Sequence, residues 1–97
     1  MKAEEYLKQN QESIKEQYLS ITNGGSNPII TVKESNKNYI HKVSTVEKFL
    51  ETLPDNQFFK KMRDAIANAI LNKDIPIVIF EDKKARIISL PDYFEIK

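Results

Sequence analysis

His41 is the one side chain here whose ordinary pKa lies near neutrality, and the only glycines are the adjacent Gly24 and Gly25. Acid–base catalysis at neutral pH asks for such a group held by an orienting acid; nucleophilic catalysis asks for a hydroxyl or thiol beside a base. His41 sits in an alternating run with Tyr39 and Val43, and no carboxylate lies close in sequence to orient it. Its expected role is a surface or hydrogen-bonded strand residue. The absence of cysteine removes thiolate nucleophiles, disulfides and thiolate metal sites. One histidine cannot supply the three or four ligands of a zinc centre, and no EF-hand spacing of acids appears. Glu81-Asp82 falls in a turn, where adjacent side chains diverge and do not meet at one substrate atom. The expectation is no catalytic residue, no metal and no cofactor, hence not an enzyme.

Binding chemistry is what remains. Lys60, Lys61 and Arg63 cluster on one helix, and Lys83, Lys84 and Arg86 cluster at the last hairpin. Two such spots can meet phosphates if the fold joins them, which makes nucleic acid a candidate partner. Against this, Glu81 and Asp82 neutralise the hairpin turn, and the formal charge of +1 gives no global field toward DNA or an anionic membrane. Phe58 and Phe59 are neighbours, so on a helix they point roughly 100° apart. One of them is expected at the edge of a second contact, where aromatics serve as anchors. Leu7, Ile14, Tyr18 and Ile21 form a narrow helical seam with Gln11 at the missing position. The seam has two readings: docking on the protein's own sheet, or a homodimer or partner contact with Gln11 setting register. The candidate partner-binding residues are therefore Leu7, Ile14, Tyr18, Ile21, Phe58, Lys60, Lys61 and Arg63.

The elements that must position these residues follow from periodicity. Residues 3–22 read as a helix, stopped by the segment Asn23 to Pro28, where Gly or Asn can take the left-handed conformation and Pro28 blocks continuation. Ile29 to Ser35 and Tyr39 to Val43 alternate around Asn36-Lys37-Asn38, a hairpin pattern. Ser44-Thr45-Val46-Glu47 matches a capping box with Ser44 as the cap. Val46, Phe49, Leu50 and Leu53 then predict a short helix ended by Pro54. Asp55 or Asn56 caps the next helix, whose broad apolar face is Phe59, Met62, Ile66, Ala69 and Ile70 beside Phe58, with Asn72 as C-cap. Ile75 to Phe80 and Ala85 to Leu90 flank a charged turn; the first is apolar on both faces and is expected to be buried, with Pro76 at its start where a missing amide is tolerated. Tyr93-Phe94 is expected to form a last turn.

The order α-β-β-α-α-β-β predicts a single α+β domain over residues 1–97, antiparallel hairpins packed with helices. A length of 97 residues leaves room for one modest core. The opening Met-Lys-Ala-Glu-Glu has no apolar signal region, and the apolar run Ile77 to Phe80 is far too short to span a bilayer. The expected setting is cytoplasmic, without membrane contact.

The run from Ile75 through Pro76, Glu81-Asp82-Lys83-Lys84 and Ala85 to Ser89-Leu90-Pro91-Asp92-Tyr93 is similar to the closing hairpin of prevent-host-death type antitoxins. Upstream, Val43 to Phe49 resembles that family's strand followed by a capped helix, and the likeness covers about residues 39–94. The resemblance implies a dimer that binds operator DNA and neutralises a toxin through a C-terminal tail. The chain departs from the pattern in a shorter turn without glycine, in the stretch around Pro54, and in ending at Lys97 where a tail is expected. No functional residue is carried over from it. Elimination favours a small non-catalytic protein-binding regulator or inhibitor, acting on a host protein or toxin, of the kind phages and mobile elements encode as anti-defence or anti-CRISPR proteins. The alternative is a DNA-binding autorepressor or antitoxin of the prevent-host-death type.

Overall fold

Two hairpins supply the sheet. In the computed structural model, which describes residues 3–81 and 84–91, β1 (Pro28–Ser35) and β2 (Asn38–Thr45) pair antiparallel, closing with Ser35 opposite Asn38. The two residues between them, Asn36 (φ 48°) and Lys37 (φ 66°), are both left-handed, the conformation that matches a two-residue turn to strand twist. β3 (Asp74–Glu81) and β4 (Lys84–Pro91) form the second antiparallel hairpin. The hairpins join through β1 and β3, which run parallel from Ile30 opposite Ile77 to Lys33 opposite Phe80, giving the order β2-β1-β3-β4. Pro76 precedes the start of that parallel ladder, so its missing amide leaves no bond to β1 unmade. The centre of the β3–β4 turn and the expected turn at Tyr93-Phe94 lie outside the described residues.

The helical arm expected over 3–22 is interrupted: α1 (Ala3–Gln9) and α2 (Gln11–Asn23) flank Asn10, whose φ −107° and ψ 19° leave the helical region. Asn10 keeps the helical bond, its backbone amide donating to the Tyr6 carbonyl at 3.1 Å, while its side-chain amide donates to the same carbonyl at 2.9 Å and competes for it. Ala3, Leu7 and Ile14, spaced four and seven residues apart, all reach one face of the sheet, where they pack with Ile30, Val32, Ile75, Ile77 and Ile79. Gly25 (φ 84°) supplies the left-handed residue that ends the arm.

The opposite face is covered by α3 (Val46–Thr52) and α4 (Gln57–Leu71), whose Val46, Met62 and Ile66 pack on Ile29 and Val78. The cap of α3 is Thr45, one residue later than the Ser44 expected; its hydroxyl accepts from the Lys48 amide at 3.2 Å. The shift follows from Thr45 itself being extended (φ −80°, ψ 145°) and paired with Pro28 in the sheet, so the helix cannot begin before Val46. Asn56 caps α4 by accepting from the Phe59 amide at 3.1 Å, and Asn72 is the C-cap. β3 is buried from Ile75 to Ile79 because helices cover both faces, as its doubly apolar sequence implied. The fold is thus α+β, a four-stranded mixed sheet between two helical layers. No described helix is long and apolar enough to cross a membrane.

Candidate functional site

α4 lies over β3 and β4, and α3 packs over the ends of β1 and β2. Between them the remaining surface of β1 and β2 stays open as a groove of about 820 Å3. Its floor is Thr31 and Lys33 from β1, Phe80 from β3, and an unbroken run of β2 from Ile40 to Thr45. Lys48, Phe49, Leu53 and Pro54 form the wall on the α3 side, Phe59 comes from α4, and Ile21 of α2 completes the lining. Such a run of consecutive strand residues means that the groove follows the backbone of an edge strand, since alternate residues face opposite sides of a sheet. Ile40 stands 62% exposed there, and Phe58 is 54% exposed on the adjoining smaller groove of about 350 Å3 that shares Lys33, Phe59 and Phe80.

Charge is one-sided. Among the described residues, Lys33, Lys42 and Lys48 line the larger groove and no Asp or Glu does. In a chain of net charge +1 this is a local positive field beside apolar surface.

The residues expected to bind a partner separate into three groups. Leu7 and Ile14 are enclosed in the core, with Tyr18 half-buried on the same cluster, so the seam follows its docking reading. Ile21 and Phe58 do line the grooves, and the Phe58–Phe59 divergence is real: the rings meet edge to face at 5.0 Å while Phe59 packs on the core. Lys60 and Lys61 are exposed but line neither groove, and Arg63 is committed internally, donating to the Leu53 carbonyl at 2.9 Å and the Leu50 carbonyl at 3.4 Å. It ties the end of α3 to α4. Of the second basic spot, Lys84 lines the smaller groove, Lys83 lies outside the described residues, and Arg86 is paired with Glu4 and with Glu81 at 3.1 Å. Its guanidinium is held above its usual pKa, first by Glu4, with burial opposing and Glu81 adding. Ile40, Lys33, Lys42 and Lys48 escaped sequence reasoning. The available signal was Ile40, an apolar residue on the strand face opposite Tyr39, His41 and Val43.

On the other face, the polar residues satisfy one another. With His41 neutral and its proton on Nε2, the Tyr6 hydroxyl donates to Nδ1 at 2.7 Å, and partial burial lowers the His41 pKa. Tyr39 has one phenolic proton to share between Glu81 at 3.1 Å and Glu34 at 3.3 Å; its pKa is pushed up to about 12 by desolvation first and these carboxylates second. Among the described residues no group of three or more His, Asp or Glu is placed to hold a metal ion. No protein-family model, curated protein or solved structure matches the chain.

Proposed function

We propose that this protein is a non-catalytic regulator or inhibitor that works by binding another protein. The observation that carries the reading is the groove along β2, which presents Ile40, Phe49 and Leu53 beside three lysines on a rigid sheet edge. Exposed apolar surface rimmed by charge is what protein partners bury, whereas phosphate backbones are held chiefly by cations. A phage or mobile-element inhibitor with a host protein or toxin as its target is the setting that the small size and Lys-, Asn- and Ile-rich composition support. The competing reading, a DNA-binding antitoxin-type repressor, draws on the hairpin resemblance and the surface lysines.

A photo-crosslinking residue placed at Lys48, and separately at Lys60, separates the two in nuclease-treated host lysate. The reading expects one discrete protein joined at position 48, with inhibition that scales in proportion to the target. Retention of duplex DNA that disappears steeply with salt would support the repressor instead. Complete inactivation of the target by sub-stoichiometric protein would mean turnover and would end the non-catalytic reading.

A further inference from the structure

We infer that β2 accepts an extended segment of its partner as a fifth strand, and that this segment is apolar with carboxylates placed to meet Lys33, Lys42 and Lys48. The inference rests on the protein-binding reading and supplies the chemistry of the partner. Its first support is the phase of the β1–β2 ladder. In an antiparallel pair alternate residues exchange both backbone bonds. The Val46 amide donates to the Asn27 carbonyl at 2.9 Å, which continues the register one step beyond Pro28 opposite Thr45. Counting along the strand from there, Ser44, Lys42, Ile40 and Asn38 bond to β1. The N–H and C=O groups of Tyr39, His41 and Val43 therefore point outward, and among the described residues no other backbone group meets them.

Outward groups of an edge strand are a template for another strand, and main-chain bonds then give affinity while alternate side chains give selectivity. An added strand beside β2 would set its own alternate residues next to Ile40, Lys42 and Ser44 on the groove side. There an apolar residue fits against Ile40 and a carboxylate against Lys42, with Lys33 and Lys48 within the same lining. Opposite charges on neighbouring strands are favourable and like charges are not. That rule disfavours a second copy of this chain as occupant, because β2 against β2 doubles the lysines and brings no carboxylate into the groove. It disfavours nucleic acid less, but the outward amides and the apolar wall of Phe49, Leu53 and Phe59 offer a phosphate strand little.

The test selects random linear peptides displayed on phage against the wild-type protein, with counter-selection on the Lys42→Glu/Lys48→Glu variant. Both lysines are exposed, so the variant should melt like wild type. Enriched peptides should carry alternating apolar and acidic residues and bind the variant about tenfold more weakly. Amide hydrogen exchange of the isotope-labelled protein then reads the geometry. On peptide binding, the Tyr39, His41 and Val43 amides should slow about tenfold or more, while those of Ile40 and Lys42, already bonded to β1, change little. A peptide methylated at alternate backbone nitrogens keeps its charge and side chains but should lose binding. The inference fails if peptides enrich without that alternation in protection, or if the methylated peptide binds equally. It also fails if no acidic peptide enriches, which would leave the lysines as guards against edge pairing, or if duplex DNA alone occupies the groove. A crosslinked protein partner found at Lys60 but not at Lys48 would sink this inference and leave the protein-binding reading standing.

Discussion

Ile77 is the most informative side chain to perturb, because it lies at 0% exposure in β3, opposite Ile30 of β1 and Ile88 of β4. Trimming it to alanine removes three carbons from the face packed against Leu7 and Ile14, and the neighbouring strands cannot collapse into the space without breaking ladders. Buried isoleucine-to-alanine changes of this kind cost about 2–5 kcal/mol, so about 3–4 kcal/mol is expected here. A domain of this size has about 5–15 kcal/mol in all. Ile77→Ala should therefore remain folded at room temperature, with its urea midpoint lowered by about 2 M for a slope of about 1.5–2 kcal/mol per molar. Ile77→Asp adds an unpaired buried carboxylate, whose desolvation exceeds what remains, and should be unfolded. Val78 points to the opposite face but is also 0% exposed, so Val78→Asp should fail equally. Ile40→Asp, on the exposed edge, should stay within about 0.5 kcal/mol of wild type. Circular dichroism during urea titration checks all four. If Ile77→Asp melts like wild type, or Ile40→Asp costs as much as Ile77→Ala, the placement of β3 between two helical layers is wrong.

Further outcomes follow from the caps, the α3–α4 tie and the titrating groups. Thr45→Ala should lose about 1 kcal/mol in thermal or urea melts while Ser44→Ala loses clearly less, the reverse of a Ser44 cap. Arg63→Ala should cost about 1–2 kcal/mol, because it leaves the Leu50 and Leu53 carbonyls without their charged donor; Lys60→Ala and Lys61→Ala should fall within about 0.5 kcal/mol. The folded protein lowers the His41 pKa, so its contribution is present above about pH 6.5 and is lost as pH falls. The melting temperature should therefore drop between about pH 7.5 and about pH 5.5, and His41→Gln should flatten that drop relative to wild type. Equal drops in the two proteins would show that other groups govern it. Binding of the proposed protein partner should survive His41→Gln at neutral pH.

Much of this fold is written locally. The run Ile75 to Phe80, apolar on both faces, dictated a covered strand, and Asn36-Lys37-Asn38 between two alternating runs dictated a hairpin, which the structure tightens to a two-residue turn at Asn36-Lys37. The spacing of Phe59, Met62 and Ile66 dictated a helix with one buried face. These features rest on periodicity and turn chemistry within a few residues, so sequence alone determines them, as it determines the lack of cysteine and the balanced charge. Asn10 marks where local reading ran out: the seam spacing continued through it, but its side chain had a competing bond to the Tyr6 carbonyl that periodicity does not register. Thr45 likewise belonged to two patterns, and its strand pairing with Pro28 moved the cap one residue past the Ser44 of the capping box. The tertiary structure alone decided that the two hairpins join in parallel through β1 and β3. That contact links residues over forty positions apart, and its register depends on which apolar faces the helices cover. The same choice made β2 an edge, turned the amides of Tyr39, His41 and Val43 outward, and gathered Lys33, Lys42 and Lys48 around one groove. Lysines from three separate elements carry no mutual spacing in the chain, so only the packing of α3 and α4, which leaves part of β1 and β2 open on that face, could bring them together.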